Sequence, residues 1–180
     1  HYDISLQDNA RVAGRDAVEL RFSPRDQQRY LHAWWVDKST GLLLKHVMSD
    51  HQERVLETFQ ITQLQSPSLY EGNVAGDVST ERPSHSWQVD WLPEGFIAQP
   101  QEPGQAVTNQ RVYSDGLAAV SLFVSPVEQP MLEEGVHRLG VSTAAISLVS
   151  EGEQRWQLVG VGELPPDMLQ RIVQSVRIAP

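Results

Sequence analysis

The segment Trp156 to Ile178, WQLVGVGELPPDMLQRIVQSVRI, constrains this chain most, because its paired prolines fix where a strand must stop and a helix can start. Pro165 forces Leu164 into an extended conformation, so the preceding strand ends there. Pro166 suits the first turn of a helix, where a missing N–H costs nothing. Asp167 complements the positive helix end. Met168, Leu169, Ile172, Val173 and Val176 then fall at i, i+1, i+4, i+5 and i+8, a single stripe at the helical period. Burying them gives roughly 8–15 kcal/mol gross at about 1.5–3 kcal/mol each, enough to hold one helix on a sheet. Gly160-x-Gly162 follows the strand, but no third glycine arrives and the prolines intervene, which rejects a dinucleotide fingerprint. Glycine there is expected to let the covering helix approach the backbone.

The helix answers an earlier stretch, Ser84 to Val124. Asp115-Gly116 predicts a tight two-residue hairpin turn with positive φ at both central positions. Val112 precedes it, and Leu117, Val120, Leu122 and Val124 follow, side chains that fit a half-buried pleated surface. Trp87 and Trp91 stand on an extended segment that bends at Leu92-Pro93-Glu94-Gly95-Phe96. Val136 to Val149 supplies one or two strands broken near Gly140, Glu151-Gly152 turns, and Arg155 to Val161 is the last strand. Residues 85–180 therefore predict a small antiparallel β domain covered by one C-terminal helix.

Residues 1–65 predict an antiparallel meander. Tyr2, Ile4 and Leu6 alternate until Val12-Ala13-Gly14 breaks the run; Val18, Leu20 and Phe22 alternate next. Strands follow over Gln28 to Val36, Leu42 to Met48 and Val55 to Leu64. The turns are Ser23 to Asp26, Asp37 to Gly41 and Asp50 to Glu53. Short connections mean that neighbouring strands pair. Residues 66–84 are rich in Gly, Pro, Ser and Thr without apolar period and predict a linker. The fold class is α+β, mostly antiparallel β.

Three motifs in order, W-x-x-x-W-L-P-x-G-F, R-x-Y-S-D-G-L and V-G-x-G-E-L-P-P, resemble the C-terminal domain of the RseB/MucB family. The residues are Trp87, Trp91, Leu92, Pro93, Gly95 and Phe96; Arg111, Tyr113, Ser114, Asp115, Gly116 and Leu117; and Val159, Gly160, Gly162, Glu163, Leu164, Pro165 and Pro166. Tyr30, Trp35, Asp37, Thr40, Gly41 and Leu42 resemble the meander of lipoprotein-carrier-like (LolA-like) domains, an open barrel in this family. The chain holds only the last strands of such a domain, so part of any lipid cavity's wall is missing. The resemblance implies a periplasmic regulator of the envelope-stress sigma factor. It would bind the periplasmic segment of a transmembrane anti-sigma factor (RseA/MucA type) and shield it from proteolysis, with lipid-type signals releasing it, and lipid or lipopolysaccharide is an expected partner. A homodimer is a further expected partnership, and a periplasmic lipid or lipoprotein carrier is the alternative function.

The partner contact is expected on the second unit and the groove between units, with Trp87, Trp91, Phe96 and Tyr113 as its residues. Trp34 and Trp35 are adjacent on one strand and point to opposite faces. If one packs inward, the other meets solvent, a cavity or a partner, which makes both lipid or interface candidates.

Other chemistry finds little footing. The net charge of −9 argues against a nucleic-acid partner, which needs a basic face. No apolar run approaches the roughly 18 residues that span a bilayer. The chain begins at His1 without Met, which predicts a mature protein or a fragment. Zero Cys excludes disulfides, thiolate metal sites and cysteine nucleophiles. Six histidines are scattered without the i, i+4 spacing of a helical metal pair, although His32 and His46 lie on strands that can be adjacent. Ser114 beside Asp115 suits a turn better than a nucleophile, and there is no G-x-S-x-G elbow. No enzyme activity, cofactor or metal is expected.

Overall fold

A computed structural model of the chain describes residues 1–65, 87–100, 109–129 and 132–178. The chain divides into two compact units, His1–Val74 and Ala75–Pro180. The expected linker over 66–84 lies outside the described residues.

The first unit is a five-stranded antiparallel sheet in chain order: β1 (Tyr2–Val12), β2 (Arg15–Pro24), β3 (Leu31–Asp37), β4 (Leu43–Ser49) and β5 (Val55–Gln60). Its end strands, β1 and β5, do not pair with each other, so the sheet is open. Directly opposed residues of antiparallel strands share a face. One face therefore carries two rows across the sheet. The first is Leu6, Leu20, Trp34, His46 and Phe59; the second is Ile4, Phe22, His32, Met48 and Glu57. The opposite face mixes polar residues with Leu31, Ala33 and Val47 and with a small cluster of Val12, Ala17 and Leu44, against which Trp35, Ile61 and Leu64 pack.

Aspartate side chains build two of its turns. Asp37 accepts hydrogen bonds from Arg15 (2.9 and 2.8 Å), the Ser39 hydroxyl (2.8 Å) and the Thr40 N–H (3.0 Å). Asp50 accepts from the Gln52 and Arg54 N–H groups (2.9 and 3.0 Å) and from Arg54 Nε (2.7 Å). The β1–β2 hairpin turns through Ala13 (φ 52°) and Gly14 (φ 74°), flanked by the Val12–Arg15 pair. Positive φ at both central positions is what a type I′ two-residue turn requires.

The second unit opens with β6 (Trp87–Val89), followed by β7 (Ile97–Ala98), β8 (Gln110–Ser114), β9 (Ala119–Pro126), β10 (Gly135–Leu139), β11 (Ser142–Glu151) and β12 (Gln154–Gly162). The helix α1 (Pro166–Gln174) and β13 (Val176–Ile178) complete it. Six strands form one sheet in the order β10-β11-β12-β9-β8-β7, and β13 pairs with β6 in a separate ribbon. Gly140, at φ 67°, makes the β10–β11 turn, which is the break expected near it. One face of the large sheet gives Val120, Leu122, Val124, Ala145 and Leu158 to a core closed by Leu169, Ile172 and Val173 of α1.

Two expectations are corrected. The β8–β9 connection is a four-residue loop, because Ser114 pairs with Ala119. Only Gly116 (φ 100°) has positive φ there. Asp115 serves through its side chain, whose Oδ1 accepts the Leu117 and Ala118 N–H groups at 3.0 and 2.9 Å. The helix also ends before Val176. Ser175 donates its N–H to Arg171 and Ile172 carbonyls, and Val176 enters the core from β13.

The two strand glycines have different neighbours. A Cβ on Gly160 would meet Val173 Cγ2 at 2.5 Å, so this glycine does admit the helix. A Cβ on Gly162 would meet the Ala119 carbonyl oxygen at 2.5 Å, so that glycine admits strand β9 instead.

Candidate functional site

The four aromatic residues proposed from sequence lie in the second unit but differ in accessibility. Trp87 (3% exposed), Phe96 (7%) and Tyr113 (6%) are core residues. Trp91 is half-buried at the margin of that core. Its indole lies under the Arg171 guanidinium, 3.8 Å from the ring centroid, and the Arg111 guanidinium lies 4.4 Å from the Trp87 ring. Such cation–π contacts orient the ring and the cation together.

Local pairing explains why Trp91 sits there. The β6–β13 ribbon brings the chain after Val89 beside the end of α1. Ser175 then clamps it: its hydroxyl accepts from the Trp91 N–H at 3.3 Å and shares its proton between the Ile172 carbonyl (2.7 Å) and the Trp91 carbonyl (3.0 Å). The Asp90 N–H donates to the Ser175 carbonyl at 3.1 Å, and Arg177 pairs with Asp90 at 3.3 Å. The result is an indole packed against Arg171, next to Asp90 that holds Arg177, with both arginines exposed on an otherwise acidic protein. Sequence reasoning missed Arg171, Ser175 and Arg177. The one available signal was the arginine in the last turn of α1.

In the first unit, Trp34 and Trp35 point to opposite faces as strand geometry requires. Trp34 joins the apolar face, edge-on to Phe22 (centroids 5.0 Å apart) and to His46 (6.3 Å). His32 and His46 do come together: His32 Nδ1 lies 3.0 Å from His46 Nε2, and the rings are 12° from parallel. Trp35, on the other face, carries the Lys45 ammonium 4.5 Å from its centroid. It also borders a depression of about 310 Å³ with Arg21, Val47, Ser49 and Glu53.

Electrostatics concentrate at Asp37, whose carboxyl is held well below the usual carboxylate range. The Arg15 guanidinium is the main cause and the Thr40 hydrogen bond the next, both outweighing desolvation. This group braces a turn. Among the described residues, no three His, Cys, Asp or Glu side chains converge on a position that could hold a metal ion. The Ser114 hydroxyl donates to the Ala118 carbonyl at 2.8 Å and accepts from the Gly116 N–H at 3.0 Å, a turn role.

Known proteins resemble this chain in both of its halves. Residues 1–85 match the MucB/RseB N-terminal domain and residues 81–177 the MucB/RseB C-terminal domain. The chain is 31% identical to the sigma factor AlgU regulatory protein MucB of Pseudomonas aeruginosa, over 98% of this chain and 60% of that protein. It is 30% identical to the sigma-E factor regulatory protein RseB of Haemophilus influenzae, over 98% of this chain and 59% of that protein. The chain thus spans about 60% of the length of these relatives. Among solved structures, MucB in complex with MucA(peri) matches with a TM-score of 0.78 at 30% identity, covering 99% of this chain and 68% of that one. A crystal structure of MucB matches at 0.68 and 31% identity, covering 98% and 63%.

Proposed function

The chain belongs to the MucB/RseB family of sigma factor regulatory proteins, and we propose that it binds the periplasmic segment of a transmembrane anti-sigma factor. On this reading it works in the periplasm, shields the bound segment from proteolysis, and is released by a lipid-type signal. The observation that carries the proposal is the likeness, across 99% of the chain, to a MucB bound to MucA(peri). Release would be a competition: a ligand that binds only the partner-free state shifts the equilibrium by its differential affinity.

We place the contact on the second unit at Trp91. Its half-buried indole and the Arg171 guanidinium stacked on it offer an aromatic and cationic surface suited to acidic and apolar side chains of a peptide. Trp87, Phe96 and Tyr113 take part from beneath, since their burial fixes the segment that presents Trp91. Residues 66–84 join the two units, and the first unit's sheet is the last part of a lipoprotein-carrier-like open barrel.

The test is calorimetric titration of the purified chain with the periplasmic segment of its cognate anti-sigma factor. Trp91→Ala is expected to weaken binding roughly tenfold or more, as loss of an interface anchor does. A folded chain that shows no heat of binding with that segment would end the proposal. A second reading, lipid or lipoprotein carriage, is favoured by the exposed Ile4 (66%), Leu6 (63%) and Phe59 (50%) beside Trp34. Native mass spectrometry separates the two: co-purified acyl chains without peptide binding would favour the carrier.

A further inference from the structure

We infer that Ser175 is the positioning residue of the surface at Trp91. Its one hydroxyl holds the Trp91 main chain against the end of α1, so that the indole and the Arg171 guanidinium stay stacked before any partner arrives. The effect on affinity rests on the placement of the partner contact at Trp91 proposed above; the positioning itself does not.

Every polar group of Ser175 is used. Its N–H donates to the Arg171 and Ile172 carbonyls at 3.1 and 3.0 Å, which ends the helix. Its carbonyl accepts the Asp90 N–H at 3.1 Å. Its hydroxyl donates to the Ile172 carbonyl at 2.7 Å, the local back-bond that serine makes on a helix. A residue that only stopped the helix would need nothing more. Yet the same hydroxyl meets both main-chain groups of Trp91, 84 residues away in sequence, at 3.3 Å from the nitrogen and 3.0 Å from the oxygen. Among the described residues these are the only hydrogen bonds of the Trp91 main chain.

The strap that carries Trp91 is fixed on either side by other means. Val89 pairs with Val176 in the β6–β13 ribbon, and Pro93 is fully buried. Arg177 holds Asp90 by an ion pair at 3.3 Å. None of these sets the Trp91 peptide groups. A side chain's allowed directions follow from the backbone that carries it, so the hydroxyl decides where the indole can point. The other half of the stack starts from the same residue. The Arg171 carbonyl accepts the Ser175 N–H, and its guanidinium lies 3.8 Å from the Trp91 ring centroid. Ser175 thus registers both partners of the cation–π contact.

Preorganisation is what such a tie contributes to binding. An aromatic side chain free to turn must be immobilised when a peptide docks on it, and that cost is subtracted from the affinity. With the hydroxyl in place the ordering is done during folding. Ser175→Ala removes the two Trp91 bonds and the back-bond. The main-chain bonds of residue 175 and the Arg177–Asp90 pair survive, so the helix end and the ribbon persist while the stack loosens. Ser175→Thr keeps a hydroxyl with the same donor and acceptor capacity.

The experiment is NMR of the intact chain with and without the periplasmic segment of its cognate anti-sigma factor. Without that segment, the Arg171 side-chain signals should be displaced upfield by the Trp91 ring. In Ser175→Ala they should move toward the position of a free arginine while the Ile172 and Val173 methyl signals keep their places, and Ser175→Thr should restore them. Titration with the segment should show binding weakened roughly three- to tenfold by Ser175→Ala. No further loss is expected when the same change is made in a Trp91→Ala chain, because a residue acting through Trp91 has nothing left to position. Should the alanine variant fold poorly, amide exchange in the unaltered chain decides: the Trp91 N–H should be protected together with the Asp90 and Ser175 N–H groups. Arg171 signals indifferent to Ser175→Ala, additive losses in the double variant, or an unprotected Trp91 N–H would each overturn the inference. A parent chain that does not bind the segment would end the proposed contact, and the Arg171 signals would still decide whether Ser175 positions the stack.

Discussion

The two sheets of this protein are stabilised in opposite places. The second is held at its centre, where α1 seals Val120, Leu122, Val124 and Leu158 into a core whose clustered members are all apolar or aromatic. The first is held at its turns, where Asp37 and Asp50 gather N–H and guanidinium donors, while Ile4, Leu6 and Phe59 remain exposed on its apolar face. A sheet with its own cover can use all its apolar surface for folding. One without a cover among the described residues keeps that surface available for something else, and polar networks must fix its shape. The sharpest way to break the comparison is Ile172→Asp. Ile172 is fully buried against the sheet. An unpaired carboxylate there should cost more than about 4 kcal/mol and unfold the second unit. Circular dichroism melting should show the helical signal lost at ambient temperature, and a near-native midpoint would refute the packing.

Gly162→Ala and Gly160→Ala probe the same seal more finely. The new methyl at 162 would meet a backbone carbonyl at 2.5 Å, which can move only by parting β12 from β9. At 160 it would meet a Val173 methyl, which can yield by tilting the helix. Each should destabilise the second unit by about 1–3 kcal/mol, with the change at 162 the larger. Urea unfolding followed by far-ultraviolet signal measures both. Equal and negligible effects would mean that the sheet and helix are packed more loosely than their separation implies.

How legible this was in the sequence follows from which interactions are local. The stripe Met168, Leu169, Ile172 and Val173, the prolines before it and the meander of the first unit are written in periods and turn residues, and the structure has them. The two-residue turn with positive φ at both central positions is, among the described residues, at Ala13-Gly14 and not at Asp115-Gly116. The difference is that Asp115 can satisfy two backbone N–H groups with its side chain, which a rule about dipeptides does not see. The clamp of Ser175 on Trp91 spans distant parts of the chain and has no local pattern. Strand adjacency brought His32 within reach of His46, but the hydrogen bond between them needed coordinates. For the same reason the sequence named Trp87, Phe96 and Tyr113 beside Trp91 without telling the buried rings from the accessible one.

The smallest expected effect tests the other half of the comparison, the turn-held sheet. Asp37 is ionised far into acid because Arg15 and Thr40 bond its charged form. A carboxyl whose folded value is depressed contributes stability that is complete above its unfolded value, about 3.9, and is lost as pH falls through the folded one. The first unit should therefore lose thermal stability progressively below about pH 4, well under the range in which imidazoles take up protons. Asp37→Asn removes the ionisable group but keeps one acceptor oxygen for Arg15 and Thr40. Its melting midpoint should be lower than the parent's at neutral pH and should change less between pH 4 and pH 2, so that the two curves converge in acid. The Trp34 indole N–H resonance follows the first unit, since its ring packs on Phe22 and His46 there. Parallel curves would mean that Asp37 is as easily protonated folded as unfolded, and the Arg15 bridge would then have no part in holding β1, β2 and β3 in register.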